Sequence, residues 1–167
     1  MDNVVLIGMP GAGKSTVGVL LAKSLLKDFV DTDLIIQQKE SDSLCNIMQK
    51  TGVDGFIRLE DEIISQCSFQ GSVVATGGSA VYGEKAMENL KKGGVIVYLK
   101  VSCDELVKRI HNIRTRGIAM KEGTTIKELF DERKALYEKY ADITIDCDAL
   151  QAEECVNMIV QKLSELQ

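Results

Sequence analysis

Gly8-Met9-Pro10-Gly11-Ala12-Gly13-Lys14-Ser15 have the spacing of a phosphate-binding loop, set between the apolar run Val4-Val5-Leu6-Ile7 and a helical pattern that begins at Lys14. Glycines at 8, 11 and 13 permit backbone conformations that turn successive N–H groups inward, toward phosphate oxygens. The helix that follows adds its unsatisfied N-terminal N–H groups and the positive end of its dipole. Lys14 would reach the β- and γ-phosphates, and the Ser15 hydroxyl would ligate Mg²⁺. Gly11, Ala12, Gly13, Lys14, Ser15 and Thr16 are therefore the expected contacts of a nucleoside triphosphate. A chance glycine-rich turn is the plainer reading, and the match at every fixed position weighs against it.

Two further groups follow apolar runs. Asp31-Thr32-Asp33 places carboxylates at i and i+2 near the carboxyl end of a strand, where ligands of α/β folds gather. Beside a triphosphate, one carboxylate would serve Mg²⁺ and the other would orient or deprotonate a substrate hydroxyl. The alternative is a solvated pair that caps the next helix. Thr76-Gly77-Gly78-Ser79 allows a ligand to approach the backbone closely; equally, it reads as a strand-to-helix turn capped by Ser79.

These groups need a scaffold. Val4–Ile7, Val73–Ala75 and Val95–Leu99 are short, β-branched runs without alternation, which suits strands buried on both faces. Lys27–Asp31 and Ile143–Asp146 suit outer strands. Helical patterns fall at about 14–26, 55–67, 83–91, 103–112, 125–139 and 151–165. Such alternation means a parallel sheet with helices on both faces, an α/β fold. Residues 33–54 read as two short helices, more than a crossover needs. Residues 113–124 form an irregular basic segment of the kind that serves as a lid.

The 167 residues, 45% apolar with one proline, fit a single domain, 1–167. A net charge of −5 argues against nucleic acid as the main partner, although it leaves room for locally basic clefts. Five cysteines, scattered and odd in number, suggest reduced thiols rather than a zinc site or disulfide framework. The first residues show neither a leader nor a membrane span, so a cytoplasmic protein with no membrane partner is expected.

The loop Gly8–Ser15, Asp31-Thr32-Asp33, Gly55-Phe56 with Glu60, Ala75-Thr76-Gly77-Gly78, and Glu132-Arg133 with Leu136-Tyr137 follow one another in the order and spacing of shikimate kinases. The chain resembles that family over nearly its whole length. The loop alone is widespread, whereas its combination with the later motifs is much more specific. The resemblance implies a P-loop three-layer fold, a five-stranded parallel sheet ordered 2-3-1-4-5, a substrate-binding segment at about 33–60, a lid at about 113–124, and a monomer. It implies ATP and Mg²⁺ as cofactors and a small-molecule substrate. Asp31 would hold Mg²⁺ with Ser15, and Asp33 would accept a hydrogen bond from the attacking hydroxyl. Glu60, Gly77, Gly78 and Ser79 would line the substrate pocket. Arg133 would face a substrate carboxylate, for which its fork is suited; a surface ion pair with Glu132 is the alternative. Arg116 matches the lid arginine over the transferred phosphoryl group, with Arg114 competing for that role, and Arg109 matches one that lies against adenine.

The chain departs from the family at Ile57, where an arginine for the shikimate carboxylate stands, at Ser79 in place of a third glycine, and at Gly117 in place of a proline. Arg58 stands one residue later, but a one-residue step turns a helical side chain by about 100°. Three functions follow: phosphorylation of shikimate to shikimate 3-phosphate; phosphorylation of another hydroxylated acceptor such as a sugar acid, favoured by Ile57; and a nucleotide-binding module without transfer, disfavoured by intact Lys14, Ser15, Asp31 and Asp33.

Overall fold

Val4, Val5, Leu6 and Ile7 give a strand with no polar face, and β1 (Asn3–Ile7) accordingly forms the middle of a five-stranded sheet. The order is β2-β3-β1-β4-β5, with β2 Asp28–Asp31, β3 Ser72–Ala75, β4 Gly94–Lys100 and β5 Ile143–Asp146. Every pairing is parallel; Val4 is in register with Val73 on one side and Val95 on the other. The edge strand β5 alternates instead, with Ile143 and Ile145 buried and Thr144 and Asp146 exposed.

The computed structural model describes residues 2–110 and 117–166. Among them the helices are α1 Lys14–Leu25, α2 Thr32–Glu40, α3 Leu44–Ser65, α4 Glu84–Lys91, α5 Cys103–Arg109, α6 Ile126–Tyr140 and α7 Ala152–Glu165, with a 3₁₀ turn at Ala80–Tyr82. Right-handed crossovers sort them into layers. The β1-to-β2 connection runs one way along the sheet and the later connections run the other, so α1 covers one face and α2 to α6 the opposite one. The observed neighbours agree: α1 packs on α7, α3 on α4, and α5 on α6.

One sequence boundary holds and another changes. The second short helix expected before residue 54 and the helix expected from 55 both lie within α3, whose backbone leaves the helical region at Gly52 (φ 70, ψ 173) and so divides the span into two helices near the expected boundary. Helix α5 stops at Arg109 rather than near 112, because Ile110 leaves the helical region (φ −92, ψ 80). Local chemistry fixes the helices that carry the site. Ser43 caps α3 by accepting from Asn46 N, and Thr125 and Glu128 close a reciprocal capping box on α6.

The main core lies around the sheet. A second cluster of Ile36, Ile47, Phe56, Ile63 and Ala119 sits under α2 and α3. Ala119, from the expected lid segment, is thus buried among residues of the expected substrate-binding segment. No described helix is long and apolar enough to cross a membrane. Leu21, wholly buried on α1, ties that helix to the main core. Leu21→Ala should lower the unfolding free energy in urea by about 2–5 kcal/mol; a loss below about 1 kcal/mol would contradict this packing.

Candidate active site

The carboxyl ends of β1, β2 and β3 deliver their loops to one cleft of about 410 Å³. Gly11, Gly13, Lys14, Ser15 and Thr16 line one part, Asp31 and Asp33 a second, Gly77, Gly78 and Ser79 a third, and Arg133 with Gly117–Ala119 the remainder.

Loop 8–15 takes its shape from glycine. Gly8, Gly11 and Gly13 have φ of 150, 83 and 90, and a Cβ on Gly8 would stand 2.7 Å from the Leu99 carbonyl oxygen. No side chain caps α1, so its first-turn N–H groups remain available to a ligand. Lys14 is buried, and its ammonium donates to the carbonyl oxygens of Gly8 (2.6 Å) and Met9 (2.8 Å). Burial pushes its pKa down to about 8, against the pull of the nearby Asp33 carboxylate.

The aspartates divide their tasks. Asp31 Oδ1 accepts from Asp33 N (2.9 Å) and caps α2, while its Oδ2 accepts from the Ser15 hydroxyl at 3.3 Å. The capping reading and the site reading of Asp31 are therefore compatible. Asp33 is pushed up to about 6, chiefly by burial and then by the Asp31 charge, with Lys14 opposing.

Glu60 lies behind the cleft wall. Its Oε1 accepts from the Ser79 hydroxyl at 2.6 Å, and its Oε2 is buried without a hydrogen-bond partner. Burial drives it up to about 7; the Ser79 hydrogen bond and the Arg133 charge oppose the shift, and Asp33 adds to it. Ser79 thus serves Glu60 and makes no helix-capping bond. Gly77 is compelled by its neighbours: a Cβ there would stand 2.6 Å from Asp33 Oδ1 and 3.0 Å from Glu60 Oε2. Tyr137 holds the adjacent turn by donating to the Gly78 carbonyl at 2.6 Å.

Arg133 is wholly buried, and its hydrogen bonds go to Ala119 and Tyr82, not to Glu132. Arg109 pairs with Glu105 (3.0 Å) beside Gly11 and does not line the cleft; nor does Ala12, which is buried beneath the loop. Arg116 and Arg114 lie outside the described residues. Ile57 faces a separate groove of about 260 Å³, which it lines with Val53, Tyr82 and Glu132. Sequence reasoning passed over Met48, Ile118 and Ala119 as cleft walls, and Tyr82 behind them. Only the apolar spacing of α3 hinted at Met48.

A phosphate-binding loop opening the first helix of a 2-3-1-4-5 parallel sheet, with paired carboxylates across the cleft, defines the P-loop kinase class. The shikimate kinase family model matches residues 10–164. The shikimate kinase of Thermodesulfovibrio yellowstonii is 38% identical over 99% of this chain and 97% of its own length. That of Pseudomonas paraeruginosa is 36% identical over 99% and 98%. The shikimate kinase from Acinetobacter baumannii, solved in complex with shikimate, superposes with a TM-score of 0.91 at 30% identity, covering 100% of this chain and 95% of that one. The enzyme from Aquifex aeolicus gives 0.79 at 33% identity, over 98% and 96%. The chain belongs to the shikimate kinase family, whose members are ATP-dependent phosphotransferases.

The buried carboxyl gives a signed prediction. Between about 4.5 and about 7 the folded protein keeps a proton on Glu60 that the unfolded chain has released, so stability from this group is lost as pH rises through that window. Glu60→Gln should therefore raise urea stability at pH 8 by roughly 1–3 kcal/mol and leave it nearly unchanged at pH 4. A gain at pH 4 that vanishes at pH 8 would reverse the sign. Gly77→Ala should lower kcat/KM for the acceptor by about 100-fold by displacing two carboxylates, with ATP affinity retained; unchanged kinetics would show that the added methyl is tolerated.

Proposed function

We propose that this protein transfers the γ-phosphoryl group of ATP to a ring hydroxyl of shikimate, giving shikimate 3-phosphate and ADP. The observation that carries this reading is the meeting, in one cleft, of Lys14 and the open N-terminus of α1 with the Asp33 carboxylate and an unpartnered Arg133 N–H. The first two suit a triphosphate, and the last two suit a hydroxylated acid beside it. Likeness to a relative solved with shikimate agrees.

Phosphoryl transfer asks the protein mainly for positioning and charge stabilisation. Lys14 neutralises the β- and γ-phosphates from a fixed position. Asp33, ionised for the most part at neutral pH, accepts a hydrogen bond from the attacking hydroxyl and can take its proton. Glu60 and Ser79 back the pocket floor at Gly77. Arg109 would lie near the nucleoside and Arg116 over the transferred group. The residues 117–119, seated against the cleft and buried in part with α2 and α3, are the end of a lid that excludes water. The Ser15 hydroxyl and Asp31 carboxylate, 3.3 Å apart, fit Mg²⁺, which needs one or two protein oxygens with water and phosphate completing its shell. Mg²⁺ supplies charge neutralisation across the phosphates when bound. The reading includes a monomer acting in the cytoplasm, with no nucleic acid or membrane partner.

Ile57 supports a second reading, in which the acceptor is another hydroxylated molecule such as a sugar acid. A coupled ADP-release assay tests both. Shikimate-dependent release is expected. Lys14→Ala should abolish it, and Asp33→Asn should lower kcat by about 10²–10⁴-fold with ATP affinity changed little. Equal loss of both would remove the role given to Asp33. Since Ile57 faces the other groove, Ile57→Arg should raise shikimate kcat/KM by less than about threefold; a rise of about 30-fold or more would show a missing carboxylate ligand and favour the second acceptor.

A further inference from the structure

Arg133 has three nitrogens, and the protein engages two of them. Nη2 donates to the Ala119 carbonyl at 2.6 Å. Nε lies 3.4 Å from the Tyr82 hydroxyl, and the guanidinium carbon lies 5.4 Å from the centre of the Tyr82 ring. Nη1 is buried and, among the described residues, without a hydrogen-bond partner, and a Cβ on Gly78 would stand 2.9 Å from it. Gly78 and Arg133 both line the cleft, whereas Tyr82 lies outside it, in the groove shared with Ile57. Tyr82 is itself fixed, because its hydroxyl donates to Glu132 Oε1 at 2.9 Å.

We infer that Tyr82 is a positioning residue for the acceptor: its ring and hydroxyl hold Arg133 so that a single edge, Nη1, is turned to the bound molecule. This rests on the function proposed above. Bidentate recognition of a carboxylate uses a pair of guanidinium N–H groups, either Nε with Nη2 or Nη1 with Nη2. Tyr82 takes the Nε–H and Ala119 takes one of the two N–H groups on Nη2, which closes the Nε and Nη2 edge. The acceptor is therefore met at the other edge, through Nη1. Burial makes the choice of edge binding: a rotated guanidinium would leave N–H groups unsatisfied in the interior, which is unfavourable. Ring and hydroxyl act together, since a cation over an aromatic face is attracted to it and the hydroxyl adds direction. The Tyr82 phenol, raised above its usual value chiefly by burial, stays neutral throughout the working range and keeps its proton for Glu132.

The test compares wild type with Tyr82→Phe, which keeps the ring, and Tyr82→Leu, which removes both contacts. The acceptor KM should rise about 2–5-fold in the first and about 10-fold or more in the second, with kcat and the ATP KM within about twofold of wild type. A second readout needs no turnover. The Arg133 Nε–H resonance, identified by its loss in Arg133→Lys, should exchange slowly with solvent in wild type and faster in Tyr82→Leu. An unchanged acceptor KM together with unchanged Nε–H protection in Tyr82→Leu would overturn the inference, as would a parallel fall in kcat and rise in both KM values, the sign of a general structural defect. Absence of shikimate turnover in wild type would instead count against the proposed function, and the Nε–H exchange would still decide the role of Tyr82.

Discussion

Three buried ionisable side chains and a fourth that is half-buried meet at the carboxyl edge of one sheet, and their mutual balance is the condition that the site depends on. Lys14, Asp33, Glu60 and Arg133 act on one another, and burial shifts the first three in the directions that disfavour charge. Such groups are stable only when partnered. The fold supplies part of the partnering through the Gly8 and Met9 carbonyls, the Ser79 hydroxyl and the Ala119 carbonyl. Among the described residues it leaves Glu60 Oε2 and Arg133 Nη1 unmatched. Arg133 Nη1, at the cleft, is where a polar acceptor would complete the balance, and the close-packed core around it holds such an unsatisfied group in place.

Much of this was legible from sequence for physical reasons. The strands announced themselves because double burial demands continuous β-branched runs, as in β1 and β4. The loop announced itself because positive φ and close backbone approach at Gly8 require glycine. The sheet order followed from the family resemblance. Less legible were features that depend on contacts distant in the chain. Glu60 was read as a wall of the pocket, yet it stands behind the wall, because Ser79 reaches its carboxyl first. The balance between a surface ion pair and a buried ligand at Arg133 could not be struck from a charged helix, since its burial depends on Ala119 and Tyr82, 14 and 51 residues away. The break between the two helices of α3, read from sequence at 54–55, falls at Gly52.

Ile57 takes its meaning from the same geometry. It opens onto the groove with Tyr82 and Glu132, on the outer side of the network that holds Arg133. Under the proposed function the acceptor end of the cleft is organised by Arg133 on α6, Glu60 on α3 and Ser79 in the turn after β3, which meet around Gly77 and Gly78. The phosphate end follows the loop and α1 alone.

The central claim, that the two ends of this cleft join a triphosphate to a shikimate hydroxyl, is tested most directly by following ³¹P nuclear magnetic resonance of the protein with ATP, Mg²⁺ and shikimate. ADP and one phosphate monoester are expected, formed in equal amounts and only when shikimate is present. ADP accompanied by inorganic phosphate alone, or no change in the ATP signals, would contradict it.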